Sequence, residues 1–281
     1  MRRMRGRLLA LVFLVAMGGV VPTAWAGNLV VTGHDTDFHA CYTTGSQNLF
    51  DAFTGFARNG SALPILLVDR ASGGCGGVGE AVHAATIGVI PFVLADPTAA
   101  TFDTLLNGLN TTTYSALVVA SAESCGGCDL SLADLQRLDT HATGVQDFFN
   151  AGGGIFLNTG GTSAAEQAAM YALTPSISAT LPIDAFNGFS LTSAGQARFP
   201  TLSNADVNGN ETHNQFTGFS SALEVDEVLT SGSTVADITL SVAGGGISGG
   251  TITAPEPSAV ILVGTALMGL VGMKRFVGKS A

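Results

Sequence analysis

Between residues 27 and 254 the sequence has no lysine and only four arginines, Arg58, Arg70, Arg137 and Arg198. Twenty carboxylates share that stretch, which gives it a formal charge of −16. A surface of that sign repels nucleic acid and anionic lipid, so nucleic acid is not expected as a partner. The same surface favours solubility and attracts divalent cations. Without a lysine the glycine run Gly73–Gly79, "GGCGGVG", lacks the residue a Walker-type phosphate loop needs, and it follows no dinucleotide fingerprint. A flexible or disulfide-pinned loop is the expectation there.

Cysteine is scarce as well: Cys41, Cys75, Cys125 and Cys128. An even count in an exported chain points to two disulfides. The favoured pairing is Cys41–Cys75 with Cys125–Cys128, on the premise that the first two strands are neighbours. Cys125-Gly126-Gly127-Cys128 has no thioredoxin-like pattern around it, and a four-thiolate zinc site would need reduced sulfurs.

Long apolar runs occur only at the extremities. Arg2, Arg3, Arg5 and Arg7 precede an apolar stretch from Leu8 to Val21, and Ala24-Trp25-Ala26 is an A-x-A cleavage site. Residues 1–26 therefore read as a secretory signal cut by signal peptidase, too short for a full membrane span. At the other end a Gly/Thr-rich linker, 244–254, leads into Pro255-Glu256-Pro257-Ser258. An apolar run to Met273 follows, then Lys274, Arg275 and Lys279. A helix over about 258–273 is marginally short for a bilayer core of about 30 Å, and the basic residues hold its end in the cytoplasm.

This tail, 255–281, resembles the PEP-CTERM sorting signal of Gram-negative bacteria: the Pro255-Glu256-Pro257 motif, the helix and the basic tip occur in order. The resemblance implies tethering at the inner membrane, cleavage near Pro255 to Pro257 by an exosortase-type protease, and release to the cell surface or extracellular matrix. Exopolysaccharide is then an expected neighbour. The resemblance covers only the tail.

Residues 27–243 form one domain's worth of chain, enough for a substantial core. Short apolar runs at Asn28–Thr32, Pro64–Val68, Ser115–Ser121 and Gly154–Leu157 read as buried parallel strands. Helices are expected at 45–58, at 78–86, at 98–109, from Ser131 through Phe149, and at 163–173. Val89–Leu94 reads as a strand or crossing segment. Ser131 with Asp134 makes a capping box, and Asn150-Ala151-Gly152-Gly153 stops the helix. Residues 177–193 and 223–243 read as strands with loops. The alternation predicts an α/β three-layer sandwich with a mainly parallel, flavodoxin-like sheet and its ligand edge at the C-terminal ends of the strands.

The segment Tyr114–Thr162, with its apolar strand, long helix ending "FFNAGGG" and strand "IFLNTGG", is similar to the class I glutamine amidotransferase-like superfamily, closest to its trehalose-utilisation branch. Catalytic members carry a cysteine on the sharp turn after that last strand. Here the turn is Leu157-Asn158-Thr159-Gly160-Gly161, and Thr159 stands at the nucleophile's place. A threonine hydroxyl needs an adjacent base. The only later histidine is His213, with Glu211 two residues before it. The branch's histidine near the turn is missing too. The resemblance thus implies a non-catalytic domain, with Glu123, Thr159 and His213 as the residues to examine for any remaining catalysis.

The richest polar cluster is "GHDTDFHA". His34, Asp35, Asp37 and His39 would ligate a divalent metal at the ligand edge, with His213 and Asp206 as further donors. The competing reading is a Gly-Asx turn in which Asp35 or Asp37 caps the next helix. "DVNGNETHNQF" sets Asp206, Asn208, Asn210 and Glu211 near calcium-loop spacing. Its glycine is misplaced and Thr217 stands where an EF-hand needs glutamate, so a surface loop is expected. Two functions follow: a non-catalytic surface or matrix binding protein, or a metal-assisted hydrolase using the "GHDTDFH" loop with Glu123 and His213.

Overall fold

The computed structural model describes residues 27–125, 130–248 and 251–253. The predicted signal, the sorting motif Pro255, Glu256 and Pro257, the membrane helix at 258–273 and Cys128 lie outside the described residues, and so does the Cys125–Cys128 bond. Among the described residues no helix is long and apolar enough to cross a membrane.

The chain runs through β1 (Leu29–Thr32), α1 (Thr36–Ala40), α2 (Thr44–Arg58), β2 (Ile65–Val68), α3 (Glu80–Ile87), β3 (Phe92–Ala95) and α4 (Phe102–Asn107). It continues through β4 (Ala116–Val119), α5 (Leu132–Asp139), α6 (Ala142–Asn150), β5 (Gly154–Asn158) and α7 (Ala164–Ala172). The last part holds β6 (Ile177–Ala185), β7 (Phe189–Leu191), α8 (Ser193–Arg198), α9 (Asn204–Val207), β8 (Thr212–Phe219), β9 (Glu224–Ser231) and β10 (Thr234–Val242), then a small hairpin of β11 (Gly246–Ser248) and β12 (Thr251–Thr253). Three-residue 3-10 turns stand at Cys75–Gly77 and Glu123–Cys125.

The protein is α/β, and its main sheet is mixed. β1 to β5 are parallel in the order β3-β2-β4-β5-β1. β1, β2, β4 and β5 are buried at every residue, which is why they read as unbroken apolar runs in the sequence. Thr43 caps α2, accepting a hydrogen bond from Ser46 N, and Phe50 and Phe53 meet Phe156 of β5 edge-on at 5.7 and 5.6 Å. The expectation of a mainly parallel sheet holds for this half. The C-terminal strands join the same sheet antiparallel: β10 lies beside β1 and carries β9 on its other edge, while β8 carries β6.

Where β1 ends, β8 takes over its line. His34 bridges Thr212, and Gly33 N donates to Ile238 O at 2.9 Å. Gly33 is required there, because a Cβ would lie 2.1 Å from Asn214 O. The sequence reading left Thr212–Phe219 as a loop; it is a strand because β6 and β10 offer it backbone partners. Asp206 does not open a calcium loop. Its carboxylate accepts from Ser203 N and closes the capping box of α9.

The long helix expected from Ser131 to Phe149 is two helices. The Ser131–Asp134 capping box forms as expected. The break comes at Thr140 and His141, where the Thr140 hydroxyl donates to Arg137 O at 2.6 Å and the His141 ring reaches Asp103 at 3.0 Å. Such local side-chain bonds compete with the helix ladder.

Cys41 and Cys75 are disulfide-bonded with their Cα atoms 5.9 Å apart. The premise for that pairing does not hold, since β4 and β5 stand between β1 and β2. The bond forms because α1 lies across the C-terminal edge of the sheet. Asp37 of α1 accepts from Ser121 N at 2.8 Å and Ser121 Oγ at 2.7 Å, just beyond β4. Bonds of that kind to a buried carboxylate contribute about 1.5–3 kcal/mol each. The cross-link closes a loop with a sequence separation of 34 residues. Reducing it, or replacing Cys75 by serine, should lower stability by roughly 3–4 kcal/mol. Urea unfolding with and without reductant measures this.

Candidate metal centre

Of the four residues in the "GHDTDFHA" cluster, the structure separates two from the others. His34 is fully buried, with Nδ1 2.9 Å from Glu211 O and Nε2 2.8 Å from Glu227 Oε1. Both ring nitrogens are engaged, so His34 is not a ligand. Burial alone would lower its pKa; the Glu227 carboxylate, with the Glu211 carbonyl and Asp35, outweighs burial and raises it. Glu227 Oε2 in turn accepts from Thr239 Oγ1 at 2.7 Å, and Thr239 meets Thr32 at 3.0 Å. Asp37 is committed to Ser121. Both residues are structural, and the expectation of ligation at His34 and Asp37 is corrected accordingly.

Asp35 and His39 behave differently. Asp35 holds the N-cap position of α1, yet its side chain makes no capping hydrogen bond. Asp35 therefore does not cap α1 through its side chain. Asp35 and His39 are one helical turn apart on one face. The bridge between His34 and Thr212 brings His213 and Glu211 to the same place, and β6 adds Asp184 through its pairing of Ala185 with Thr212. Gly160, in the turn that resembles the amidotransferase elbow, makes room for Asp35: a Cβ there would stand 2.7 Å from Asp35 Cβ.

The spacing within this group is informative. A charge-assisted histidine–carboxylate bond closes to about 2.7–2.9 Å, as His34 and Glu227 do. His39 Nε2 instead stands 3.4 Å from Asp35 Oδ1 and 3.4 Å from Glu211 Oε2, and His213 Nε2 stands 3.5 Å from Asp35 Oδ2. Neither Nε2 has a hydrogen-bond partner, although both atoms are buried. Ligand atoms bound about 2.1 Å from one tetrahedral zinc ion lie about 3.4 Å apart. Among the described residues of this region, the ligand atoms that all lie within 4.8 Å of one another belong to Asp184, Glu211 and His213; Asp35 and His39 adjoin that group through the pairwise contacts above. Asp35 and His213 are buried, Glu211 is partly covered and Asp184 is exposed, so the group opens toward solvent on the Asp184 side.

Burial lowers the His39 pKa, against the pull of Asp35 and with help from His213 and His34. Burial would lower His213 too, but the Asp35 carboxylate, with Glu211 and Asp184, raises it. Burial, a hydrogen bond with Asp184 and the Asp35 charge push Glu211 up to about 7, against the nearby His213.

The remaining sequence candidates stay apart. The Thr159 hydroxyl is buried and donates to Thr32 O at 2.7 Å, so it presents no nucleophile. Glu123 is half exposed on the 3-10 turn after β4, 3.9 Å from the Arg70 guanidinium, and no described contact links it to the histidines. Asp206 binds Asn48 at 2.7 Å. A cavity of about 440 Å³ lined by Asn110, His141, Asp147 and Phe148 shares no residue with the cluster and lies by the segments preceding β4 and β5, away from the edge where ligands of parallel sheets sit.

Glu211 and Asp184 are the participants that sequence reasoning did not assign to the metal. The usable signal was the i, i+2 spacing of Glu211 and His213, which suits one face of a strand. Asp184 carried no local signal. Comparison with protein-family models, with curated proteins and with solved structures finds no match to this chain. The functional reading rests on the site itself.

Proposed function

We propose that this chain is an exported, surface- or matrix-directed protein whose α/β domain binds one divalent transition-metal ion at Glu211 and His213, with Asp184 on the solvent side and His39 and Asp35 completing the site from α1 and its N-cap. The observation that carries this reading is the pair of buried imidazole Nε2 atoms without hydrogen-bond partners, 3.4–3.5 Å from shared carboxylates. Two imidazoles with carboxylates suit Zn²⁺ and its neighbours in the first transition series. Export is supported by the basic-apolar leader, the A-x-A site and the Pro-Glu-Pro tail, and the Cys41–Cys75 bond fits an oxidising compartment. The parallel half reads as a three-layer core, because strands buried at every residue need cover on both faces; its order, β3-β2-β4-β5-β1, departs from the flavodoxin order, in which the first strand lies between the second and third. The amidotransferase-like reading of that half is of a fold without the amidotransferase mechanism, since the Thr159 hydroxyl is tied to Thr32 O.

The open Asp184 side favours a role in which the metal meets an external ligand. Metal-assisted hydrolysis is the second reading: a bound ion there would lower the pKa of a coordinated water.

The test is elemental analysis and calorimetry of the purified, oxidised domain with Zn²⁺ and Mn²⁺. One equivalent of Zn²⁺ that survives gel filtration is expected. Protein that retains no stoichiometric metal overturns the reading.

The site also sets a pH dependence. Glu211, pushed up to about 7, and His213, raised by its carboxylates, must shed protons before they ligate. Protons therefore compete with the metal on the acid side. Zn²⁺ affinity should strengthen as pH rises from 5.5 through about 7 and flatten above, with proton release on binding in that window. Calorimetry in buffers of different ionisation enthalpy measures the released protons.

A further inference from the structure

The face of α1 that carries Asp35 and His39 also carries Phe38, and the turn after it brings Tyr42 into line at the i+7 position. Phe38 meets His39 at 5.0 Å and Tyr42 at 5.3 Å, both edge-on. On the other side of His39 stands Phe186, 6.4 Å away and nearly perpendicular. Phe186 follows β6, two residues after Asp184. Aromatic side chains normally bury most of their surface, yet Phe186 is 48 % exposed and Tyr42 71 %. The Phe186 segment is also held: its carbonyl accepts from Gly209 N at 2.8 Å, and Gly188 N donates to Asn208 at 2.8 Å. Phe186 thus flanks the His39 imidazole at the open side of the cluster, and the exposed Tyr42 ring extends the aromatic edge through Phe38.

Charge narrows what can bind there. Asp35, Asp184 and Glu211 supply three carboxylates against one divalent ion, in a domain whose formal charge is −16. Phosphate esters and carboxylates are repelled from such a site. A neutral ligand must therefore reach the ion through uncharged oxygens and offer a ring face to the aromatics. Resting on the metal reading above, we infer that the centre takes a neutral ring bearing vicinal hydroxyls, with the hydroxyl pair toward the ion and the ring against Phe186. A saccharide unit and a catechol share this chemistry.

The experiment uses the full exported domain loaded with Zn²⁺, titrated separately with methyl α-mannoside, catechol and inorganic phosphate and followed by calorimetry and by NMR line broadening. Zinc-dependent binding of mannoside or catechol is expected, and whichever binds identifies the source. Phe186→Ala should weaken that binding by about tenfold, with Tyr42→Ala as a second variant; Zn²⁺ affinity reports that each variant is folded. Phosphate binding tighter than both diols overturns the inference. So does a zinc-loaded protein that binds neither diol, or diol binding that both variants leave unchanged. A protein that takes up no Zn²⁺ overturns the metal reading and this inference together, so the two failures are distinguishable.

Discussion

Replacing His213 by alanine should loosen Zn²⁺ binding by at least about 100-fold, equivalent to about 2.8 kcal/mol. The residue is buried and its Nε2 makes no close hydrogen bond, standing 3.5 Å from Asp35 Oδ2. Its carboxylate neighbours Asp35 and Glu211 remain, and a metal held by those and His39 alone lacks the second imidazole that sets its preference for Zn²⁺ over Mg²⁺. His39→Ala should act in the same direction. Glu123→Gln should leave the affinity unchanged, because Glu123 contacts Arg70 rather than the cluster. The folded state gives an independent readout. A ligand at 100 times its dissociation constant stabilises by about 2.7 kcal/mol, so Zn²⁺ should raise the melting temperature of the natural protein and of Glu123→Gln but not of His213→Ala. Equal affinity in all three would remove His213 from the site.

Glu227→Ala should be the most destabilising single change, at about 3–5 kcal/mol, because it leaves a buried imidazolium without its counter-charge. His34 and Glu227 are both fully buried, 2.8 Å apart, and each is also held by a second bond, to Glu211 O and to Thr239 Oγ1. The pair ties the end of β1 to β9 and to the start of β8, so the metal ligands lose their backing as well. The pH dependence has a definite sign. The His34 pKa is raised in the folded protein above 6.5. Its contribution is therefore fully present below pH 6.5 and is lost as pH rises through the folded value. In Glu227→Ala that contribution disappears and burial favours the neutral ring, so the variant should lose most stability relative to the natural protein at acid pH. Urea midpoints at pH 5.5 and 8.5 measure both effects. A variant as stable as the natural protein at both values would mean that the pair is dispensable.

The parts of the fold that were legible in the sequence depend on near neighbours. "NLVVT", "PILLV", "SALVVAS" and "GIFL" read as buried strands because nearly every residue in them is apolar or small, whichever face it meets. Ser131 and Asp134 announced a helix start that the structure contains. The break of that helix at Thr140 and His141 was only half legible, because one of its bonds is local, Thr140 to Arg137 O, and the other, His141 to Asp103, is distant in sequence. Thr212–Phe219 was read as a loop because its start falls in the polar "DVNGNETHNQF" stretch; pairing with β6 and β10 makes it a strand.

The candidate site divides along the same line. "GHDTDFHA" stood out as a cluster because histidines and aspartates crowd it, and that density is a property of the sequence by itself. So are the acidic balance of the domain, the absence of lysine that excludes a Walker-type loop, and the strand–helix alternation that makes the protein α/β. Only the tertiary structure decided that His34 and Asp37 serve the fold while Asp35 and His39 face Glu211, His213 and Asp184. The physical reason is that ligation requires side chains to be near one point and unsatisfied by the protein. Both conditions depend on where β8 and β6 pass, which no local pattern encodes.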